Sequence, residues 1–345
     1  MLDVLIIGAG QAGLAMGAEL KAQGLKNFLI LDETSHVGQS WEDRYNSLKL
    51  FTPSQYCNLP GMKFPLGRNR YPNKDQVADY LRSYAVQFSL PIQMNTAVNR
   101  LEKAPGSFVI ETSQGKLWAD KVIIATGSQH TPWVPNFAAQ LSDNIFQIHS
   151  AQYQCPSQIP EGPVLMVGAG NSGVQIAEEL TATHSVHISV AHLPKQFPQR
   201  FLGKDIFWYL LKLGYMDVPV AKRSDEGQPM PLIGSDLKRL MRKKRLIKHA
   251  RAVGADGDKV ILADGTSFAP QSIIWATGFR NDYAWIDIPG THKDGLPIQT
   301  DGCSPVGGLY WIGFSWLRTK GSGFLGFVGR DAAHLAPDIL KPEDQ

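Results

Sequence analysis

Short apolar runs that end in closely spaced glycines occur twice along the chain. Residues 4–7 (VLII) lead into GAGQAG at 8–13, and residues 164–167 (VLMV) lead into GAGNSG at 168–173. An apolar run of this length bounded by glycines is typical of a buried strand, and the stretches at 14–23 and 174–181 are predicted to be helical. The two halves also close alike, with VIIATG at 122–127 and IIWATG at 273–278. The chain therefore contains a diverged internal repeat.

A β-hairpin is predicted before each closing strand. In the first half, apolar residues 108–110 and 117–119 lie on either side of Gly115. In the second half, residues 260–262 and 267–269 flank Asp264-Gly265. Asp-Gly between short apolar runs is a strong hairpin signal.

These elements predict an α/β fold. Two copies of strand, glycine turn and helix indicate two doubly wound, Rossmann-like dinucleotide-binding domains, the second inserted in the first. We expect the first domain to comprise residues 1–155 and 279–345, and the second to comprise residues 156–278. The proline-rich join near 155–163 is typical of a linker, and the prolines and glycine within 221–235 predict a mobile loop.

The glycine spacing of the first motif fits the needs of a phosphate site. Gly8 makes the tight turn after the strand, Gly10 lets the backbone approach a pyrophosphate, and Gly13 lets the helix pack closely on the sheet. The helix amino terminus offers free N–H groups and a positive dipole end to phosphates. Asp32, at the end of the next apolar run, is expected to accept ribose hydroxyls, and Glu33 is the neighbouring candidate. This context favours a dinucleotide site over an ordinary glycine turn.

The second motif has the same context, so two different dinucleotides are expected in one chain. A flavin at one motif and a nicotinamide at the other would be arranged for hydride transfer between them.

Composition and charge narrow the classes of function that remain. The chain has 345 residues, 43% of them hydrophobic and 19% charged, with a net charge of +3, which is too small to favour nucleic acid as the main partner. The basic cluster at 238–245 favours a solvated helix face over a nucleic-acid site. Cys57, Cys155 and Cys303 form no C-x-x-C pair, so neither a dithiol centre nor a metal site is predicted. The sequence shows no basic leader and no apolar run of membrane-spanning length, so a cytoplasmic location away from membranes is expected.

Further motifs give the sequence a family resemblance. It resembles the class B flavin-dependent monooxygenases, and most of all the small bacterial flavin-containing monooxygenases and the plant YUCCA enzymes. The resemblance covers nearly the whole chain and rests on GAGQAG at 8–13, VGQSW at 37–41, RYNSLKL at 44–50, PSQYCNLP at 53–60, FQIHSAQY at 146–153 and ATGF at 276–279. The family usually has a glycine where this chain has Gln39. His149, within the fifth segment, is either a proton donor or a structural residue.

The resemblance implies an FAD-dependent monooxygenase that uses NADPH. In this family NADPH reduces FAD, and the reduced flavin captures O2 as a C4a-hydroperoxide. One oxygen atom then passes to a sulfide, an amine or a ketone. The site must be dry, because water and protons hasten loss of the peroxide. The implied partners are therefore a small-molecule substrate and O2, and the chain could form a homodimer.

The motifs and the resemblance together predict the residues that contact each cofactor. The expected FAD contacts are Gly8, Gly10, Gln11, Ala12, Gly13, Asp32, Glu33, Ser40, Trp41, Thr126 and Gly127. The expected NAD(P) contacts are Gly168, Gly170, Asn171, Ser172, Gly173, Ala191, His192, Lys195, Thr277 and Gly278. The glycine-rich segment 321–326 is expected to lead into a helix over 327–335 whose amino terminus points at the flavin.

Two positions leave the activity and the coenzyme open. Phe51 stands where mammalian-type members carry an asparagine beside the flavin, so an amide that could hydrogen-bond the peroxyflavin is missing. The alternatives are an NAD(P)H-dependent flavin reductase or oxidase that releases hydrogen peroxide, and a non-catalytic flavin redox sensor.

Ala191 stands where NADPH-specific relatives place an arginine, and no acidic residue replaces it. NADH is therefore expected to be accepted alongside NADPH, although His192, Lys195 and Arg200 could attract a phosphate.

Overall fold

The computed structural model describes residues 1–220 and 231–341. Its helices are α1 (Gln11–Ala22), α2 (Gln39–Glu42), α3 (Lys74–Gln87), α4 (Asn171–Leu180), α5 (Ile206–Lys212), α6 (Leu237–Arg242) and α7 (Val328–Leu340). Its strands are β1 (Leu2–Ile7), β2 (Phe28–Leu31), β3 (Ile92–Gln93), β4 (Val98–Ala104), β5 (Ser107–Thr112), β6 (Gly115–Ile124), β7 (Thr131–Pro132), β8 (Phe146–His149), β9 (Pro163–Val167), β10 (Ser185–Ser189), β11 (Gln196–Phe197), β12 (Arg200–Phe201), β13 (Lys204–Asp205), β14 (Leu232–Ile233), β15 (Leu246–His249), β16 (Ala252–Asp256), β17 (Lys259–Leu262), β18 (Ser267–Phe268), β19 (Ser272–Trp275), β20 (Phe279–Arg280), β21 (His292–Lys293), β22 (Leu296–Pro297) and β23 (Leu309–Trp311). The loop expected over 221–235 lies outside the described residues, apart from 231–235.

The first sheet is built around β1, whose last four residues are buried. Its strand order is β3-β2-β1-β6-β5-β4, and β23 also pairs with β6. Strand β1 runs parallel to both neighbours, with Ile6 opposite Ile30 and Ile123. On its other edge β6 pairs antiparallel with β5 along its amino half and parallel with β23 along its carboxyl half. An unbroken apolar run suits a strand covered on both faces, as β1 is.

The second sheet is wholly parallel, in the order β15-β10-β9-β19-β8. It repeats the central arrangement of the first sheet, because β9 carries the second glycine motif and β19 the second closing ATG. Strand β8 pairs along its whole length with β19, so residues 146–149 belong to this sheet. They precede residue 155, where the sequence placed the end of the first domain. The closing strand of the second sheet needs a partner on its outer edge, and β8 supplies it.

Both predicted hairpins are confirmed. Strands β5 and β6 pair antiparallel, and Thr112 faces Gly115 at their turn. Strands β17 and β18 also pair antiparallel, and the turn between them places Gly265 at a φ of 82°. The Asp264 carboxylate accepts the Thr266 N–H at 3.1 Å, which closes this turn.

Helix α6 contains much of the basic cluster that the sequence assigned to a solvated helix face. It buries Leu237 and Leu240 and exposes Lys238 and Arg239 to solvent. No helix formed by residues 1–220 and 231–341 combines the length and apolar character needed to span a membrane.

Candidate functional site

Gly8 and Gly13 are required by the packing of the protein itself. Gly8 has a φ of 110°, and a Cβ there would lie 2.6 Å from the Ala125 carbonyl oxygen. A Cβ on Gly13 would lie 1.9 Å from the Gly8 carbonyl oxygen. A side chain cannot make contacts this short. Glycine at these two positions therefore allows α1 to pack closely against β1 and the end of β6. Gly168 and Gly173 repeat the pattern, since their Cβ atoms would meet Ala276 at 2.3 and 2.8 Å.

Gly10 and Gly170 are glycines that this packing does not require. Their φ/ψ angles, −74°/−176° and −68°/175°, are extended and open to any residue. A Cβ at either position would meet no described atom within 4 Å. The helices that follow, α1 and α4, carry no acid in the first turn and are capped by no side chain of the described residues. Open space in front of free N–H groups fits the pyrophosphate of a dinucleotide.

Asp32 connects the first glycine turn to the end of β2. One carboxylate oxygen accepts the Ala9 N–H at 2.6 Å. The other accepts the Thr34 N–H at 2.9 Å and the Thr34 hydroxyl at 2.6 Å. A carboxylate has about four lone-pair sites, so half-buried Asp32 retains room for a ribose hydroxyl. The neighbouring Glu33 is exposed.

The predicted contacts that follow β2 lie in and around the one-turn helix α2. Trp41 is half-buried and packs against the hydrophobic core formed around β1 and α1, while Ser40 is exposed. Gln39 accepts the Ser35 N–H at 2.8 Å, which ties the helix to the preceding turn. Gly38 has a φ of 93°, and its Cβ would lie 2.8 Å from the Ala78 carbonyl oxygen. The turn is therefore fixed by Gly38 and Gln39 together, although the chain lacks the family's second glycine.

The two closing ATG segments use their threonines differently. Among the described residues, the Thr126 hydroxyl is buried and has no hydrogen-bond partner. The Thr277 hydroxyl instead donates to the Trp133 carbonyl oxygen. The Gly278 carbonyl oxygen accepts the Trp133 N–H at 3.0 Å. A buried hydroxyl without a partner is costly, so Thr126 fits a position where a ligand supplies one.

A segment of the first domain reaches the second glycine motif. The Tyr45 hydroxyl donates to the Gln175 side chain at 3.0 Å and also hydrogen-bonds Ser172, both on α4. Burial raises the pKa of Tyr45 to about 12. The Gln175 amide donates to the Lys49 carbonyl oxygen at 3.2 Å. Asn171, the first residue of α4, is half-buried. RYNSLKL therefore fixes the amino end of α4 relative to the first domain, a role that sequence reasoning did not assign to it.

The loop after β10 carries the residues expected to distinguish NADPH from NADH. Ala191, His192 and Lys195 are all exposed. Arg200 lies further along in β12 and donates to the Gly203 carbonyl oxygen at 2.8 Å. Sequence reasoning overlooked Arg251, an exposed residue two positions after the end of β15.

Arg251 lies beside the coenzyme loop because β15 runs parallel to β10. Ser189 pairs with His249 in this register, and the Val190 N–H donates to the His249 carbonyl oxygen at 3.3 Å. The pairing of the strands brings the chain around Arg251 to Ser189, whose hydroxyl donates to the Ala250 carbonyl oxygen and accepts the Ala252 N–H. Arg251 is therefore a further candidate partner for a coenzyme phosphate, beside His192, Lys195 and Arg200.

Phe51 forms part of an aromatic cluster drawn from three parts of the chain. Its ring stacks on Phe207 of α5 at 6.1 Å and meets Phe324 of the glycine-rich segment edge-on at 6.1 Å. Phe207 and Phe324 also contact each other, and Tyr56 stacks on Phe207 at 6.4 Å. The Gln199 amide donates to the Phe51 carbonyl oxygen at 3.0 Å. The Phe51 cluster (Phe51, Tyr56, Phe207 and Phe324) presents an apolar, water-excluding wall.

The carboxyl-terminal segment packs directly on the first glycine helix. A Cβ on Gly313 would lie 2.5 Å from the Ala12 Cβ, and one on Gly326 would lie 1.9 Å from the Tyr56 carbonyl oxygen. Helix α7 begins at Val328, one residue after the predicted start, and extends beyond the predicted end at 335. Gln11 is half-buried at the start of α1.

Both ring nitrogens of His149 are hydrogen-bonded to backbone groups of the protein. Its Nδ1 accepts the Ala151 N–H at 3.1 Å, so its Nε2 carries the proton and donates to the Gly278 carbonyl oxygen at 3.1 Å. Burial lowers the pKa of His149, which favours this neutral form. His130 makes the corresponding bond at the first ATG, because it accepts the Asp282 N–H and donates to the Gly127 carbonyl oxygen at 3.0 Å.

Comparisons with known proteins agree with this geometry. A family model described as pyridine nucleotide-disulphide oxidoreductase matches residues 5–199. The chain belongs to this family. It is 44% identical to a CzcO-like oxidoreductase of Geobacillus kaustophilus, over 99% of both chains. It is 28% identical to the probable indole-3-pyruvate monooxygenase YUCCA4 of Arabidopsis thaliana, over 97% of this chain and 89% of that one. A solved double mutant of the flavin monooxygenase from Stenotrophomonas maltophilia matches with a TM-score of 0.81 at 25% identity, over 98% of each chain.

These findings confirm the resemblance to class B flavin monooxygenases, the α/β fold with two dinucleotide-binding units, and the expectation of an oxidoreductase. Flavin and NADP(H) are the cofactors that this membership supports. Disulphide chemistry does not follow from the family description, because the three cysteines are free and far apart in sequence. Cys57 is buried, and burial raises its pKa to about 12.

Proposed function

We propose that this protein is an FAD-dependent monooxygenase that consumes NADPH, also accepts NADH, and transfers one oxygen atom from O2 to a small sulfide or amine, or to a ketone. The observation that carries the proposal is the pair of open glycine cradles at Gly10 and Gly170. Tyr45 links the two halves by bonding α4 from the first domain. One chain thus offers two dinucleotide cradles in a fixed relation, as hydride transfer between two cofactors requires.

The two expected sets of contacts define where each cofactor would bind. Bound FAD would supply the hydride acceptor and the group that reacts with O2. Gly10 and α1 would hold its pyrophosphate, Asp32 its ribose, and the Thr126 hydroxyl would gain its missing partner there. Gly170, Asn171 and α4 would hold the coenzyme. We accordingly assign residues 1–155 and 279–345 to FAD and 156–278 to NAD(P)H, with β8 contributing to the second sheet.

The Phe51 cluster supports oxygen transfer. Its four aromatic side chains join the loop after α2, helix α5 and the glycine-rich segment. An apolar wall excludes water, which protects a reactive oxygen donor and strengthens electrostatic interactions within the site. The same residues would leave an apolar surface for a sulfide.

One observation favours a second candidate, an NAD(P)H oxidase that releases hydrogen peroxide. The Phe51 side chain offers no hydrogen bond, and the nearby Gln199 amide is already bonded to the Phe51 carbonyl and to Asp205. The deciding experiment measures sulfoxide and hydrogen peroxide formed per NADPH consumed, with methyl phenyl sulfide as substrate. Sulfoxide in near-stoichiometric yield supports the monooxygenase. Peroxide that accounts for nearly all the NADPH establishes the oxidase.

We also propose a reducing compartment, the cytoplasm. The three free cysteines, with Cys57 buried, suit a protein that needs no disulfide.

A further inference from the structure

We propose that a cationic cavity beside the Phe51 cluster binds a carboxylate on the substrate, so that the preferred soft nucleophile is an anion. This inference rests on the proposed monooxygenase function and narrows its substrate class. The cavity has a volume of about 170 Å³ and lies between the loop that follows α2 and the β12–β13 hairpin. Its lining includes Tyr56, Arg68, Arg200, Lys204 and Asp205.

Three cations of this lining have no carboxylate partner among the residues that the structure describes. Within residues 1–220 and 231–341, none of Arg68, Arg200 and Lys204 forms an ion pair with a carboxylate. Arg200 donates to the Gly203 carbonyl oxygen at 2.8 Å, and the Lys204 ammonium lies 5.8 Å from the centre of the Trp208 ring. Cations gathered around a concave surface raise the local concentration of anions.

Asp205 is the carboxylate of the lining, and its hydrogen bonds are made inside the protein. One oxygen accepts the Tyr71 hydroxyl at 2.7 Å and the Gln199 amide at 2.9 Å. The other accepts the Phe207 N–H at 2.9 Å. Asp205 is 3% exposed, so it anchors the start of α5 and does not pair with the cations. The lining therefore keeps an excess of positive charge.

The cavity is joined to the proposed reaction site by direct contacts. The Gln199 amide donates to both Asp205, which lines the cavity, and the Phe51 carbonyl oxygen. One side chain therefore connects the cavity lining to the Phe51 cluster. Tyr56 lines the cavity and stacks on Phe207, which stacks on Phe51. At roughly 30 Å³ per water molecule, the cavity has room for a carboxylate and its first few carbon atoms. For its far end to react, an acid held there would have to reach past Tyr56 to Phe51.

The test compares two sulfides that differ by one carboxylate, 4-(methylthio)benzoate and methyl phenyl sulfide. For the FAD-loaded protein we expect kcat/KM to be at least about ten-fold higher for the acid, mainly through KM, since a charge-assisted hydrogen bond contributes that much. The advantage should shrink with added salt. Lys204→Gln and Arg68→Gln should each reduce it, while kcat/KM for the neutral sulfide stays unchanged. Arg200→Gln should also reduce the preference for the acid. Lys238→Gln, on the exposed face of α6, is the matched control and should leave both values unchanged.

Binding is measured separately by titrating the acid into the FAD-loaded protein in a calorimeter, with wild type and Arg200→Gln compared. Weaker binding to the variant supports the cavity even if neither sulfide is oxygenated, an outcome that would refute only the monooxygenase function. Equal kcat/KM for the two sulfides, with no difference in binding, overturns the inference. Variants that raise KM for NADPH and leave sulfide selectivity unchanged also overturn it, because they would assign the cations to the coenzyme phosphate.

Discussion

Replacing Gly10 by alanine or valine is expected to weaken FAD binding severely and leave the fold intact. The backbone at Gly10 is extended, with φ of −74° and ψ of −176°, and a new Cβ would meet no described atom within 4 Å. The protein itself therefore tolerates the side chain. The space that the Cβ would fill is the space in which the pyrophosphate must approach the amino end of α1.

Two small effects on folding oppose each other at this position. A less flexible unfolded chain stabilises the fold by about 0.4–1 kcal/mol, and loss of glycine from the helix N-cap costs a comparable amount. The free energy of unfolding should thus change by less than about 1 kcal/mol. Each charge-assisted bond lost to the phosphate costs about 1.5–3 kcal/mol, so losing two weakens FAD binding by about a hundred- to ten-thousand-fold.

The assay compares the flavin released from each purified variant with its protein concentration, alongside thermal unfolding of the flavin-free forms. Gly170→Ala is the matched variant at the second motif and should retain FAD while raising KM for NADPH. Gly13→Ala should destabilise the flavin-free protein, because its Cβ would lie 1.9 Å from the Gly8 carbonyl oxygen. A Gly10→Val variant that retains full FAD occupancy would refute the placement of the pyrophosphate.

Other variants test the remaining assignments. Phe51→Asn should change the peroxide released per NADPH more than the rate of flavin reduction, because in the proposed site it alters the wall beside the flavin; an unchanged peroxide yield counts against that position. Ala191→Arg should shift kcat/KM for flavin reduction toward NADPH and His192→Asp toward NADH, from a wild-type preference within about two orders of magnitude. A wild-type preference for NADPH beyond about a thousand-fold would contradict this reasoning. Burial lowers the pKa of both His187 and His249, that of His187 to about 4, and their facing nitrogens lie 2.7 Å apart. Between about pH 6.5 and pH 4 the unfolded chain binds protons that the native state does not, so stability is full above this window and falls as pH falls through it. His187→Gln should flatten the fall in denaturant stability between about pH 6.5 and pH 4, and an equally steep fall in the variant would exclude the pair as its source.

The glycine turns were predictable because their constraints are local. Gly8 and Gly13 contact atoms within the same strand–turn–helix unit or its closing strand, so the motif carries its own geometric requirements. The boundary of α1 was predicted less well, since the helix begins at Gln11 rather than at 14. Gly10 serves as its N-cap, and the polar residue after it is already helical.

The segment between β10 and α6 could not be predicted in the same way. Strands β11 to β14 are two residues each, and β11 pairs with β14 from across the segment 221–230. Such short strands carry no periodicity, so only tertiary pairing defines them. Arg200, considered as a coenzyme ligand from its place in the sequence, lies in the β12–β13 hairpin and lines the cationic cavity.

The internal repeat explains how one sequence motif can serve two purposes. The two ATG segments are identical, yet Thr277 donates to Trp133 and Thr126 has no partner among the described residues. The difference arises because β7 pairs antiparallel with β20 immediately after the second ATG, which brings the Trp133 carbonyl to Thr277. At the first ATG, His130 bonds the Gly127 carbonyl oxygen just as His149 bonds that of Gly278. The chain that connects the two halves thus provides a hydrogen-bond acceptor for the Thr277 hydroxyl. The Thr126 hydroxyl keeps no partner among the described residues, at the motif where FAD is expected. Duplicated motifs can therefore diverge in function through the chain that joins them, with no change in their own residues.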